Sequence, residues 1–174
     1  MKTLKRLTVG ELSQFCQLTE MEMKALVGGT GCCWEAMSCA YSDLYRQQLD
    51  PSYFKGQWEK WLAEARRQGC ADADLGEYGD PTMKQTGYLL GFMQQYFSTS
   101  PSWVMRSVPI GNDASYGFAI MKGNSKDEEH AVIVVGDAYD SLGEKYYRVK
   151  DSVNGDTYQV RESEIIGGLC IGEK

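Results

Sequence analysis

The sequence predicts an α+β domain in which a helical N-terminal half packs on a C-terminal antiparallel β-sheet. Three observations carry that expectation. Apolar residues recur at helical intervals through the first half of residues 30–174, then gather into short β-rich segments in the second half. Turn-forming residues fall between those segments. A chain of 174 residues, 43% of them hydrophobic, holds enough apolar material for one core without metal or cross-links.

The elements follow in order. Residues 33–45 lack glycine and proline, and their apolar positions fit a helix. Residues 52–68 carry Tyr53, Phe54, Trp58, Trp61, Leu62 and Ala65, spaced to bury one face of a second helix. Residues 69–81 are rich in Gly, Asp and Ala and read as a loop. A third helix is expected over 82–97, despite Gly87 and Gly91. Strands are expected over 116–121, 130–135, 145–150 and 157–160, with turns at 123–125, 140–143 and 154–156.

Charge and composition exclude several functions. With 24% charged residues and a net charge of −6, disorder is not expected, and no basic surplus exists to bind a nucleic-acid backbone. The longest purely apolar run, residues 131–135, is far too short for stable membrane insertion. There is one histidine, His130, so multi-histidine metal sites are excluded and any imidazole chemistry must use it. No CxxC pair is present either, so neither a metal nor another cofactor is expected.

The N-terminus starts basic, with Lys2, Lys5 and Arg6, but polar residues interrupt every candidate apolar stretch of a general secretory signal. Thr19 and Glu22 form a capping box that should start a helix, and Leu18, Glu22, Met23 and Leu26 share one face of it. Gly28 and Gly29 end it and leave extended backbone. A short amphipathic helix closed by two glycines resembles the double-glycine leader peptides of bacterial exported peptides and bacteriocins. That resemblance implies recognition through Leu18, Glu22, Met23, Leu26, Gly28 and Gly29 by a peptidase-containing ABC transporter. It also implies cleavage between Gly29 and Thr30, with residues 1–29 as leader and 30–174 as the exported domain, secreted from a bacterium.

Three features of that domain bear on chemistry. Gly31-Cys32-Cys33-Trp34 opens a predicted helix, where the dipole and the first amides favour thiolate, the nucleophilic form of cysteine. His130 stands at the mouth of a buried strand, and Asp151 closes the next one. A hairpin of those strands brings Asp151 toward the imidazole. Position within the turn does not separate the two vicinal thiols.

In the order Cys, His, Asp, these features resemble the papain-like cysteine peptidases. The resemblance lies in Cys33-Trp34, in His130-Ala131-Val132 with Val135-Gly136, and in the Tyr-x-x-Lys-Asp-Ser…Gly segment around Asp151. It implies a papain-like fold with Cys33 as nucleophile, His130 as general base and then acid, and Asp151 as orienter of the ring. Asp stands where most of the family has Asn. The preference for Cys33 over Cys32 comes from Trp34, which follows the nucleophile in the family. A peptide or protein is the implied substrate.

The family also places a glutamine just upstream of the nucleophile to complete the oxyanion hole, and residues 27–32 contain none. The alternatives are the Cys33 amide with Thr30, or Gln47 or Gln48. Such a donor is worth about two to three orders of magnitude in turnover. Self-cleavage in cis is not expected, because the four residues from Gly29 to Cys33 span at most about 14 Å. Cys32, Cys39, Cys70 and Cys170 complete the thiols of the exported domain, enough for two disulfides. A catalytically impaired papain-like binding or toxin protein, or a bacteriocin-like precursor, would fit the same segments.

Overall fold

The computed structural model describes residues 31–69, 86–110, 116–123, 129–152 and 154–174. The leader segment, and most of the loop expected over 69–81, lie outside the described residues.

The first helix, α1 (Cys32–Tyr45), begins at Gly31, whose φ of 115° is a conformation that favours glycine. Its third residue, Trp34, is 2% exposed and packs against Trp58 and Phe92 at ring-centroid distances of 5.8 and 6.2 Å. Helix α2 (Pro51–Arg67) has a complete start signal. The Asp50 carboxylate accepts from the Ser52 amide at 2.8 Å, and Pro51 occupies the first turn, where no amide is missed. Helix α3 (Thr86–Met93) covers part of the third predicted helix; residues 94–97 leave it through turns, and 82–85 lie outside the described residues.

The strands are β1 (Ser98–Thr99), β2 (Val104–Met105), β3 (Tyr116–Lys122), β4 (Glu129–Tyr139), β5 (Lys145–Lys150), β6 (Thr157–Arg161) and β7 (Ile165–Gly172). They form one antiparallel sheet in the order β1-β7-β3-β4-β5-β6, with β2 also paired to β7. The α+β class is thus what the chain adopts: three helices and seven antiparallel strands among the described residues.

Both faces of the sheet are buried. Phe118, Ile120, Ala131, Ile133, Leu169 and Ile171 join the helices in one core. Their strand neighbours Ala119, Met121, Val132 and Val134 join Tyr147, Val149 and Val160 in a second. That alternation is the period of two at work. The second core is closed by Val108, whose amide donates to the Tyr147 hydroxyl at 3.1 Å, while that hydroxyl donates to Glu162 at 2.8 Å.

Two differences from the sequence expectation have physical causes. Strand β4 does not stop at Val135: it continues to Tyr139 through a register shift at Val134/Gly136. The bulge falls at Val135, and Gly136, which reads locally as a strand end, pairs with Arg148. Strand β7 was not anticipated, because Gly167-Gly168 looks like a break. Here the glycines are a packing requirement. A Cβ on Gly168 would stand 2.7 Å from the Phe118 carbonyl oxygen and 2.9 Å from Val108 Cγ2, and one on Gly167 would run into the Trp103 indole. Gly168→Ala is therefore expected to destabilise the fold by about 1–3 kcal/mol, the usual cost of overpacking. Equilibrium urea unfolding checks this, and an unchanged midpoint would contradict the close approach.

Candidate active site

Beta pairing brings the two distant polar residues of the predicted site together. With Ile133 opposite Lys150, the β4–β5 register carries His130 and Asp151 to the same end of the pair. His130 Nε2 lies 3.3 Å from Asp151 Oδ2, with side-chain exposures of 18% and 17%. With the Nε2 hydrogen directed at the carboxylate, Nδ1 is the ring nitrogen that can exchange a proton with a thiol. The Asp151 amide donates to the Asp156 carbonyl at 2.8 Å, and the Gly155 amide donates to the Asp151 carbonyl at 2.8 Å. These bonds fix the backbone on which the carboxylate stands.

The N-terminus of α1 reaches the same place. The Ala131 amide, next to His130 in the chain, donates to Cys32 Sγ at 3.4 Å. Cys32 is half-buried. Cys33 is 4% exposed and belongs to the apolar core with Trp34, Met37 and Ala40. Of the residues singled out from sequence, His130 and Asp151 are thus in direct contact, and the Cys32–Cys33 turn adjoins their strand.

Glu35 was missed. One turn after Cys32, its carboxyl is held above the ordinary Glu range, chiefly by burial and then by the negative charge of Asp151, with His130 acting in the opposite direction. Its Oε2 is buried without a hydrogen-bond partner among the described residues. The available signal was an acidic side chain in the mostly apolar first turns of the helix, three residues from a cysteine. Farther along α1, Lys150 Nζ lies 2.8 Å from Asp43 Oδ2 and also hydrogen-bonds Cys39, which ties the helix to the end of β5.

The oxyanion alternatives separate by position. Gln47 and Gln48 follow the C-terminus of α1, the end opposite the cysteines, and are exposed. A fourteen-residue helix places them roughly 20 Å from the thiols, out of reach of any oxyanion formed there. Thr30 lies outside the described residues. Cys39 and Cys170 are free thiols, and Cys70 lies outside the described residues. No group of His, Cys, Asp and Glu among the described residues is arranged to hold a metal ion. No family model matches the chain, and no curated protein matches it.

The raised Glu35 carboxyl has a pH consequence. Its folded pKa lies above the unfolded one, so its proton supports the fold below the ordinary Glu range. That support is lost as pH rises through the raised value. Glu35→Gln keeps the shape and removes the ionisation. It is expected to melt at a higher temperature than the parent at about pH 8, with the advantage vanishing near pH 4. Thermal melts at both values decide it, and a difference independent of pH would refute the assignment.

Proposed function

We propose that this chain is an exported papain-like thiol hydrolase, acting on peptide or protein amide bonds and secreted from a bacterium after loss of its leader. The observation that supports the reading most is the His130–Asp151 contact at 3.3 Å, beside a helix N-terminus that carries two cysteines.

The chemistry follows from those groups. His130 takes the proton of a cysteine thiol, and the helix N-terminus and the imidazolium both favour the resulting thiolate. The sulfur attacks the amide carbon; a C–S bond forms and the carbonyl π pair moves to oxygen. As the tetrahedral centre collapses, the C–N bond breaks and the leaving amine takes the proton from the imidazolium. Water then attacks the thioester, giving its proton to His130, and the sulfur leaves as thiolate with the carboxylic acid as second product. The Asp151 carboxylate holds the ring in the tautomer that leaves Nδ1 to work and stabilises the imidazolium. The resemblance to papain assigns the thiol to Cys33, because Trp34 follows it. The leader reading adds a transporter peptidase as partner, acting at Gly28-Gly29 through Leu18, Glu22, Met23 and Leu26.

A thiol-reactive epoxide tests the enzyme. Labelling is expected to be faster than that of a free thiol at neutral pH, and about two orders of magnitude slower in His130→Ala. Its rate should trace a bell, rising as the thiol ionises beside the imidazolium and falling as the imidazolium loses its proton. A profile with one limb would count against the ion pair. For the leader, co-expression of the full chain with a peptidase-containing ABC transporter should yield a product whose mass starts at Thr30. A chain left uncut, or cut elsewhere, would end that part of the proposal.

A further inference from the structure

The two faces of α1 separate the vicinal cysteines. Successive residues of a helix are turned by about 100°, so Cys32 and Cys33 face different surroundings. Cys33 stands in line with Met37, Ala40 and Leu44 at intervals of four, seven and eleven, and all four are buried in the apolar core. Cys32 stands in line with Glu35, Cys39 and Asp43 at intervals of three, seven and eleven. Every member of that second row meets the polar end of the β4–β5 pair. Cys32 Sγ accepts from the Ala131 amide, Glu35 lies in the fields of Asp151 and His130, and Cys39 and Asp43 both engage Lys150.

We propose that the nucleophile is Cys32, and that Cys33 is a core residue that seals the first turn of α1. The inference rests on the thiol-hydrolase reading and changes which sulfur performs it. Cys32 is half-buried, its residue packed in part against the core, and is the more open of the pair; Cys33 is 4% exposed. The amide of Ala131, 3.4 Å from Cys32 Sγ, is a neutral donor aimed at the sulfur. Such a donor strengthens when the sulfur becomes anionic and so favours the thiolate. It also holds the sulfur against the residue that follows His130 in the chain. The covalent step is unchanged in its balance: the Cys32 thiol gives its proton to His130, its sulfur forms the C–S bond, and the amine leaves with that proton. Trp34 then follows the nucleophile by two positions rather than one.

The test is the site of the adduct. The full-length protein is treated with limiting thiol-reactive epoxide at neutral pH, digested, and the modified cysteine located by tandem mass spectrometry. Attack of the thiolate opens the epoxide ring, forming C–S and breaking C–O, and the alkoxide takes the imidazolium proton. The adduct is expected on Cys32. Cys32→Ser, checked for an unchanged circular dichroism spectrum and melting temperature, is expected to lose the fast labelling. An adduct on Cys33 in the parent protein, or fast labelling that persists in Cys32→Ser, would overturn the assignment and leave the thiol-hydrolase reading standing. If no cysteine reacts faster than glutathione, the enzyme reading fails and this assignment fails with it.

Discussion

The rotation of α1 about its own axis is the constraint on which the rest of the site depends, and Trp34 sets it. Its indole is 2% exposed and wedged between Trp58 of α2 and Phe92 of α3. A side chain of that size is costly to displace, about 3–5 kcal/mol when truncated to Ala. With Trp34 committed to the helical layer, residues two positions away along the helix are turned nearly to the opposite side. That is why Cys32 meets the sheet while Cys33 fills the core between. The same rotation sends Glu35, Cys39 and Asp43 toward the ends of β4 and β5.

The sheet supplies the other half of the site by register alone. His130 and Asp151 are twenty-one residues apart in sequence and meet because Ile133 pairs with Lys150. A slip of one residue would move every side chain of β5 to the other face, emptying the second core of Tyr147 and Val149. Core packing on that face therefore enforces the polar contact at its end. The ion pair of Lys150 with Asp43 adds a link between the two layers, modest because both partners remain partly in water.

Where a local pattern determined the structure, the sequence was sufficient. Strand β5 has the bounds its β-rich segment implied, and α2 differs from its apolar spacing by one residue at each end, starting at Pro51 behind the Asp50 cap. His130 and Asp151 were legible as the only histidine and an acidic strand exit in the right order. What escaped reading depended on partners far along the chain. Gly167-Gly168 looks like a break until Phe118 and Trp103 press on it, and Gly136 looks like a stop until β5 accommodates a bulge beside it. The vicinal cysteines were equivalent by position, since only the burial of Trp34 says which way the turn faces. Glu35 was overlooked for a related reason: one carboxylate in a helix reads as solvent-facing until the sheet end that covers it is known.

The placement of β7 carries a consequence for how the molecule is made. Strand β7, the last of the described strands, lies inside the sheet between β1 and β3, pairing Ile171 with Tyr116. Leu169 and Ile171 complete the core beneath the helices. On a ribosome, that core cannot close until residues 165–172 have emerged, after α1–α3 and β1–β6. Pairings this distant in sequence are also the slow ones to form, because the intervening chain must be ordered first. The core under α1 thus waits for β7, the strand that lies farthest from it in sequence among those described.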